Sequence, residues 1–385
     1  MSIRKRSTKT RVVYDVRLRT PAGRQYEKTF RTKKEALEYE AEQLNARARG
    51  TWIDPQRSAG TTVTQWATTW RDLTRHKAPT SRETDRAVLD RHLLPRFGDV
   101  AIGNVSPLDI QALVADWRDK YAASTVRRYY GVTRAMFNAA VQADVIGRSP
   151  CRGVKLPEVE ETDHVILEPE QLDRLASELP SKYRPMAYVG AVLGLRFEEV
   201  AGLRVSSVDF LGRTVSVTET VTTAAGKVYV GPPKTKAARR TLACPGELID
   251  LLAEHMSAID LTGADRDAFL FPDSKGGPLR YSNFLRRVWT PARERAGIPD
   301  VGFHDLRRTA ITAMVAAGVD VRTAQARAGH SDPRMTLSIY AKATTEGDRA
   351  AASAIGSHFL GKPAPGSTGA KPEEGDEVAA GNPNR

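Results

Sequence analysis

Apolar and charged residues alternate along the first part of the chain, which is the period of a β-strand with one buried face. The alternation covers Tyr14, Val16 and Leu18 and, after a Pro-Ala-Gly turn, residues 26–31. Residues 32–49 then follow a helical period, with Thr32 as a candidate N-cap and Glu35 three residues later. Residues 1–57 are therefore predicted to form a small domain of β-sheet plus one helix.

In the next stretch the apolar residues recur at the spacing of amphipathic helices. The predicted helices are residues 63–73, 81–94, 107–119 and 124–143. Pro95 and the turn after it are expected to end the second helix. Residues 63–160 are thus predicted to form a basic helical domain, in which Arg127, Arg128 and Arg134 lie off the apolar stripe of the last helix.

The third part of the chain, residues 165–360, mixes both periods. Helices dominate, but residues 213–221 and 239–244 alternate as strands do, with glycine-containing turns between them, so an α+β domain is predicted. Residues 361–385 contain Gly, Pro, Ala, Ser and charges without a large apolar residue, which predicts a disordered tail. The whole chain is expected to be multidomain and mainly α, with small β-sheets.

The charge of the chain indicates the class of partner. Lys and Arg number 58 against 46 Asp and Glu, a net charge of +12, and residues 1–57 alone carry 15 against 7, a net of +8. This excess favours a polyanion, and nucleic acid is favoured over a membrane surface. Arg17 and Arg19 lie opposite the apolar strand positions, so we expect DNA contacts there and at the arginines of the helical domain. A solvated basic surface is the alternative.

The cysteines and the apolar runs exclude several classes of protein. Cys151 and Cys244 are far apart and outside any CxxC pair, so they form neither a disulfide framework nor a zinc knuckle. The basic N-terminus has no apolar run behind it, unlike a secretory signal, and the longest apolar stretch, residues 185–195, is too short to span a bilayer. The sequence predicts a cytoplasmic protein that does not bind membranes.

Two stretches of the third part carry candidate phosphate-binding cations. Arg196 follows a Gly-Leu pair at the end of an apolar helix, with Glu199 three residues later, and its planar donor fork suits a phosphate. A surface Arg–Glu pair is the more common role of such an arginine. Lys234 lies in a Pro-Pro-Lys-Thr-Lys segment between the predicted strands, where a lysine at a β-turn can reach a phosphodiester. Lys236 is the competing lysine, and a solvated side chain is the other interpretation.

Two further stretches carry histidines. His304 and Arg307 are three residues apart at the start of a predicted helix, where backbone N–H groups and the helix dipole favour an anion. An ordinary capped helix start is the alternative. His330 follows a glycine after another helix, and Tyr340 lies ten residues further on. A lone tyrosine in such a place is more often a core or surface residue than a nucleophile.

Taken in order, these residues resemble the tyrosine recombinase family, also called phage integrases. The resemblance rests on the arginine after Gly-Leu, the His-Asp-Leu-Arg-Arg-Thr segment at 304–309, the Gly-His-Ser segment, and the Ile-Tyr dipeptide that ends at Tyr340. It covers residues 165–345 well. Ala328 departs from the pattern, because the family usually has leucine before the Gly-His pair.

The resemblance implies a reaction and the residues that perform it. Tyr340 would be the nucleophile, and Glu199 would support the rest of the set. That set comprises Arg196, Lys234, His304, Arg307 and His330, and in the family the lysine lies in a β-hairpin. The implied reaction passes through a 3′-phosphotyrosine and a Holliday junction and rejoins the strands without ATP, a metal or another cofactor. The chain has no acidic cluster at a metal-binding spacing, so fixed cations would neutralise the phosphate.

The resemblance also implies partners and a division of labour. Residues 1–57 resemble arm-site DNA-binding domains, 63–160 fit a core-site DNA-binding domain, and 165–360 would be the catalytic domain. The expected partners are double-stranded attachment sites, three further copies of the chain in a homotetramer, a directionality factor and a host DNA-bending protein. The implied role is integration, and with a helper excision, of a phage or mobile element.

Two other functions stay open from the residues alone. One is a type IB topoisomerase, against which the arm-like domain counts, and the other is a catalytically inactive DNA-binding regulator, against which the six site residues count. Near the C-terminus, a thin apolar stripe predicts that residues 346–360 dock on a neighbouring protomer, although packing on their own domain is the alternative. The stripe consists of Ala352, Ile355 and Phe359.

Overall fold

The computed structural model describes residues 2–8, 10–19, 25–48, 59–159 and 165–342, together with short pieces between 352 and 359. The chain divides into two compact units. The first comprises residues 1–163 with 223–227, and the second comprises 164–222 with 228–385. The predicted tail, 361–385, and most of 346–360 lie outside the described residues.

The N-terminal part is a three-stranded antiparallel sheet covered by one helix. Its elements in chain order are β1 (Ser2–Ser7), β2 (Val12–Arg19), β3 (Gln25–Phe30) and α1 (Lys33–Ala48). β2 is the central strand, and its Val16 and Leu18 are buried against Ala36 of α1. The Glu35 carboxylate accepts from the Thr32 amide, as the capping pattern predicted. The sequence pattern did not indicate β1, because this edge strand has only one large apolar residue and pairs through its backbone.

The next part is a helical bundle. Its helices are α2 (Val63–Leu73), α3 (Pro79–Val88), α4 (Leu94–Phe97), α5 (Pro107–Arg118) and α6 (Ala123–Gln142). The second predicted helix ends at Phe97, in the turn at Gly98, and so three residues later than expected, because a π-helical turn at Leu89–Leu93 carries α3 directly into α4. Pro95 lies directly after this turn, so the wider π-helical turn accommodates a residue that has no N–H within a continuous helix. The core contains Trp66, Trp70 and Trp117.

The strands between residues 208 and 243 differ in detail from the pattern. Those strands are β4 (Val208–Asp209), β5 (Thr214–Val217), β6 (Thr220–Ala224), β7 (Lys227–Gly231) and β8 (Arg240–Ala243). β4, β5 and β8 form one sheet in that order, whereas β6 and β7 form a separate hairpin. The single strand predicted over 213–221 is therefore two strands, because the chain changes its pairing partner after Val217.

Helices make up most of the second unit and bring the functional segments together. They are α7 (Pro169–Glu178), α8 (Arg184–Leu193), α9 (Phe197–Val200), α10 (Gly246–Ala258), α11 (Tyr281–Phe284), α12 (Thr290–Arg295), α13 (Phe303–Ala316), α14 (Val321–Ala328) and α15 (Pro333–Lys342). α8 and α13 pack closely, since a Cβ on Gly190 would lie 2.8 Å from Leu306 Cδ1. The end of α8 therefore meets the start of α13. None of the described helices is long and apolar enough to cross a membrane.

Candidate active site

Arg196 lies at the junction between two helices. α8 ends at Gly194, which adopts φ +65°, and the buried Leu195 then places Arg196 at the N-cap of α9. Glu199 holds this arginine twice, because its carboxylate accepts from Arg196 Nη1 at 2.9 Å and from the Arg196 amide at 3.0 Å. The Arg196 side chain keeps 31% of its surface exposed. The rest of its donor fork can therefore reach a ligand.

Arg307 enters the same place from α13. It is only 1% exposed, and its Nη1 donates to the Gly194 carbonyl at 2.7 Å. Its Nη2 is buried and has no hydrogen-bond partner among the described residues. Burial, and then the charge of Arg196, lower the pKa of Arg307 to about 9. A buried, partly unpaired guanidinium beside a second arginine is the environment of an anion-binding site.

His304 lies one helical turn before Arg307, as the spacing predicted. Its outer surface is exposed, yet the protein around the ring and the nearby Arg308 lower its pKa from the ordinary 6.5. Asp305, the residue after His304, caps the helix by accepting a hydrogen bond from the Gly302 amide at 2.8 Å. His304 is thus held neutral in a cationic environment and is able to exchange a proton.

His330 is placed by a left-handed glycine. α14 ends at Ala328, Gly329 adopts φ +64°, and His330 is 5% exposed. Its Nδ1 lies 2.9 Å from the hydroxyl oxygen of Thr336, so the ring orientation is set by α15. Burial, with Arg307 and Arg196 next, lowers the pKa of His330 to about 4. At neutral pH the ring is therefore an uncharged hydrogen-bond partner.

Arg240 is a site residue that the sequence analysis missed. Its side chain is 7% exposed and forms a two-pronged ion pair with Glu199, at 3.2 Å to Oε1 and 3.1 Å to Oε2. Burial acts to raise the pKa of Glu199, but the hydrogen bonds and charges of Arg240 and Arg196 lower it overall. The strand alternation was a usable signal, because Arg240 is two residues before the buried Leu242 and so shares its inward face.

Lys234 does not lie in the expected hairpin. It is an exposed residue of the segment between β7 and the short helical turn at 236–238, and this segment connects strands of different sheets. The true hairpin, between β6 and β7, turns at Gly226 with φ +75°. The β-turn expectation for Lys234 was therefore wrong, because an unpredicted strand, β7, stands before it.

Tyr340 lies in α15, whose start follows His330 by three residues. The Tyr340 side chain lies outside the described residues. The backbone of α15 packs against α13 and α14, the helices that carry His304, Arg307 and the approach to His330. Its role as nucleophile remains a prediction.

The predicted DNA-contacting arginines are all exposed, but two of them donate hydrogen bonds to protein acceptors. Arg127 Nε donates to the Pro157 carbonyl at 2.7 Å, and Arg17 Nε pairs with Glu27 at 2.7 Å. Arg128 lies over the Tyr129 ring, and Arg134 and Arg19 are also exposed. Among the described residues, no group of three or more His, Cys, Asp or Glu could hold a metal ion.

Comparison with known proteins decides the family. The phage integrase family profile matches residues 166–346, and the integrase of Mycobacterium phage L5 is 30% identical over 317 residues, which cover 79% of this chain and 83% of that protein. The chain belongs to the phage integrase family. The integrase of Mycobacterium phage D29 is also 30% identical, over 64% of this chain and 66% of that protein.

Membership assigns the integrase to the tyrosine recombinases, site-specific enzymes that act on DNA. The fold agrees with this assignment. The Tn1549 transposon integrase, solved in complex with transposon right end DNA, superposes with a TM-score of 0.67 at 20% identity, covering 78% of this chain and 100% of that one. The mainly helical fold with small sheets that the sequence predicted is thereby confirmed.

Proposed function

We propose that this integrase cleaves and rejoins strands at DNA attachment sites through Tyr340, at the cationic site built around Arg307. The observation that carries the proposal is the buried Arg307 Nη2, unpaired among the described residues, in a site shared with Arg196. Two arginines this close in space, each with part of its donor fork not bonded to Glu199 or Gly194, suit the two non-bridging oxygens of one phosphodiester. The site therefore fits the anionic transition state of phosphoryl transfer.

The reaction follows from the chemistry of these groups. The Tyr340 phenol oxygen attacks the phosphorus, the bond to the 5′ oxygen breaks, and a 3′-phosphotyrosine forms. The phenol proton passes to His304 or His330, and Lys234 protonates the leaving 5′ oxygen. Because the phosphotyrosine keeps the bond energy, a second 5′-hydroxyl reverses the step on another strand. Two such exchanges pass through a Holliday junction.

The three parts of the chain divide the work in this proposal. Residues 1–57 bind arm sites, residues 63–160 bind the core site, and residues 165–360 carry out catalysis. The exposed Arg19, Arg128 and Arg134 support the DNA-contacting assignments. Arg17 and Arg127 remain candidates as well, because a guanidinium has five donors and a single protein acceptor leaves several of them available.

Assembly on DNA completes the proposed function. Integration joins two duplexes by four cuts, so a homotetramer acts, with a directionality factor and a host DNA-bending protein as helpers. Ile355 and Phe359 are 59% and 76% exposed, which supports docking of 346–360 on a neighbouring protomer. In this role the enzyme inserts a phage or mobile element into a bacterial chromosome, in the cytoplasm.

A nicked suicide substrate tests the activity. The full chain should form a protease-sensitive covalent adduct on a short core-site duplex, visible on a denaturing gel, and should resolve a synthetic Holliday junction of the same site. Binding without any adduct would instead support the inactive regulator. Relaxation of supercoiled DNA that lacks an attachment site would support the topoisomerase.

A further inference from the structure

Arg240 connects three separate segments of the second unit through one buried side chain. Its Nη1 and Nη2 hold the Glu199 carboxylate, its Nε donates to the Arg327 carbonyl at 2.7 Å, and its Nη1 also donates to the Ala238 carbonyl at 2.9 Å. Every nitrogen of the guanidinium thus donates to a protein acceptor, and the side chain is only 7% exposed. Arg240 is therefore placed to hold the protein together at this point, and not to bind substrate directly.

Each segment that Arg240 holds carries a residue of the active site. Glu199 in turn holds Arg196 at 2.9 Å. Arg327 belongs to the last turn of α14 and is three residues before His330. Ala238 ends the short helical turn that follows Lys234. One side chain therefore links the chain segments of an arginine, a histidine and a lysine of the site.

We propose that Arg240 is a positioning residue for strand cleavage, which sets the spacing between Arg196 and His330 and occupies Glu199 so that Arg196 stays available to the phosphate. The inference rests on the proposed function. Without Arg240, Glu199 would lose two of its hydrogen bonds, and Arg196, which already donates to this carboxylate, would be drawn further towards it and away from the DNA phosphate.

Gly329 provides an independent sign of this arrangement. A Cβ at Gly329 would lie 2.9 Å from Arg240 Nη1 and 3.0 Å from the Ala237 carbonyl oxygen. The glycine before His330 is thus required by the close approach of Arg240 as well as by its positive φ. The Gly329-His330 segment therefore packs directly against Arg240.

Arg240 also affects the charges that the site presents. It is one of the causes that lower the pKa of His330, after burial, Arg307, Arg196 and His304, and its hydrogen bond lowers the pKa of Glu199 against the effect of burial. Removing the charge of Arg240 raises both pKa values. The acid limb of the pH–rate profile, which is the range in which cleavage slows as the pH falls, then moves to higher pH. A merely structural role would slow cleavage equally at every pH.

The experiment measures single-turnover cleavage of the suicide substrate against pH, together with DNA affinity and thermal unfolding. Arg240→Met should slow cleavage on the order of 10²-fold, by analogy with a lost electrostatic contact, with unchanged DNA affinity and an acid limb at higher pH. Arg240→Lys keeps the charge, so its acid limb should stay near that of the wild type while the rate remains reduced. Arg239→Met, which removes an equal charge from an exposed neighbour, should leave the acid limb in place.

A second pair of variants decides the matter if Arg240→Met does not fold. Gly329→Ala displaces the Arg240 guanidinium, whereas Gly318→Ala adds a Cβ at a similar φ, +71°, with nothing within 4 Å. Gly329→Ala should reproduce the displaced acid limb, and Gly318→Ala should not. If the acid limb stays in place in both Arg240→Met and Gly329→Ala, the positioning role of Arg240 is overturned, but the proposed function is not. Absence of an adduct with the wild-type chain would overturn the proposed function.

Discussion

Arg307 Nη1 donates a 2.7 Å hydrogen bond to the carbonyl of Gly194, a residue 113 positions earlier in the chain. This contact joins the start of α13 to the end of α8, two residues before Arg196. It engages one nitrogen of the Arg307 fork with the protein and leaves Nη2 for a ligand. The geometry proposed to bind the phosphate therefore depends on two segments that only the fold brings together.

Arg307→Gln should slow strand cleavage on the order of 10²–10³-fold, because a neutral amide replaces a charged fork at the phosphate. Single-turnover cleavage of the suicide substrate measures the loss, and thermal unfolding reports whether the fold survives. Arg295→Gln is the matched control, since Arg295 is an exposed arginine of the same unit paired with Glu178. Equal rates for Arg307→Gln and the wild type would exclude a phosphate-binding role.

Tyr340→Phe should bind attachment-site DNA normally and form no covalent adduct, because the change removes only the attacking hydroxyl. A denaturing gel of the trapped complex gives the readout. Tyr188→Phe is the control, since the Tyr188 hydroxyl donates to Asp173 at 2.9 Å on the surface and its removal should leave the adduct intact. A persisting adduct with the Tyr340→Phe variant would mean that another residue is the nucleophile.

The free energy of unfolding should fall as the pH is lowered, in part through His330. Its pKa is about 4 in the folded chain against 6.5 as the ordinary value, so the unfolded chain binds the extra proton between these two pH values. Stability therefore decreases as the pH falls from 6.5 to about 4, by on the order of 3 kcal/mol from this residue. Urea unfolding across this range should show a shallower dependence for His330→Gln. His76→Gln, at an exposed position, should retain the wild-type slope, and an unaltered slope in His330→Gln would contradict the assignment.

Deletion of residues 1–57 should preserve cleavage of a short core site and cripple integration into long DNA. The segment carries a net charge of +8 and lies far along the chain from the site residues. The salt dependence of binding to long DNA should weaken by about 0.9 in log–log slope for each phosphate contact removed. Filter binding at several salt concentrations measures this slope. Normal integration by the truncated chain would show that the segment does not bind arm sites.

Local patterns in the sequence were sufficient for most of the elements before residue 143 and for several of those after it. The capping pair Thr32 and Glu35 marked the start of α1, and the spacing of His304 and Arg307 placed both on the first turns of α13. Such signals act between residues a few positions apart, so they are visible without the fold. The family pattern added the order of the site residues, which no single stretch could establish.

What the sequence alone determined is the family pattern, the order of the candidate reactive residues, and the helices on or beside which they lie. The tertiary structure decided which contacts those residues make. β1 forms because its backbone pairs with β2, Lys234 lies outside the hairpin because β7 pairs with β6, and Arg240 is a site residue because Glu199 and Arg327 approach it from elsewhere in the chain. Backbone pairing and buried ion pairs join residues that are distant in sequence. A pattern of neighbouring positions therefore does not show which distant residues will form these contacts.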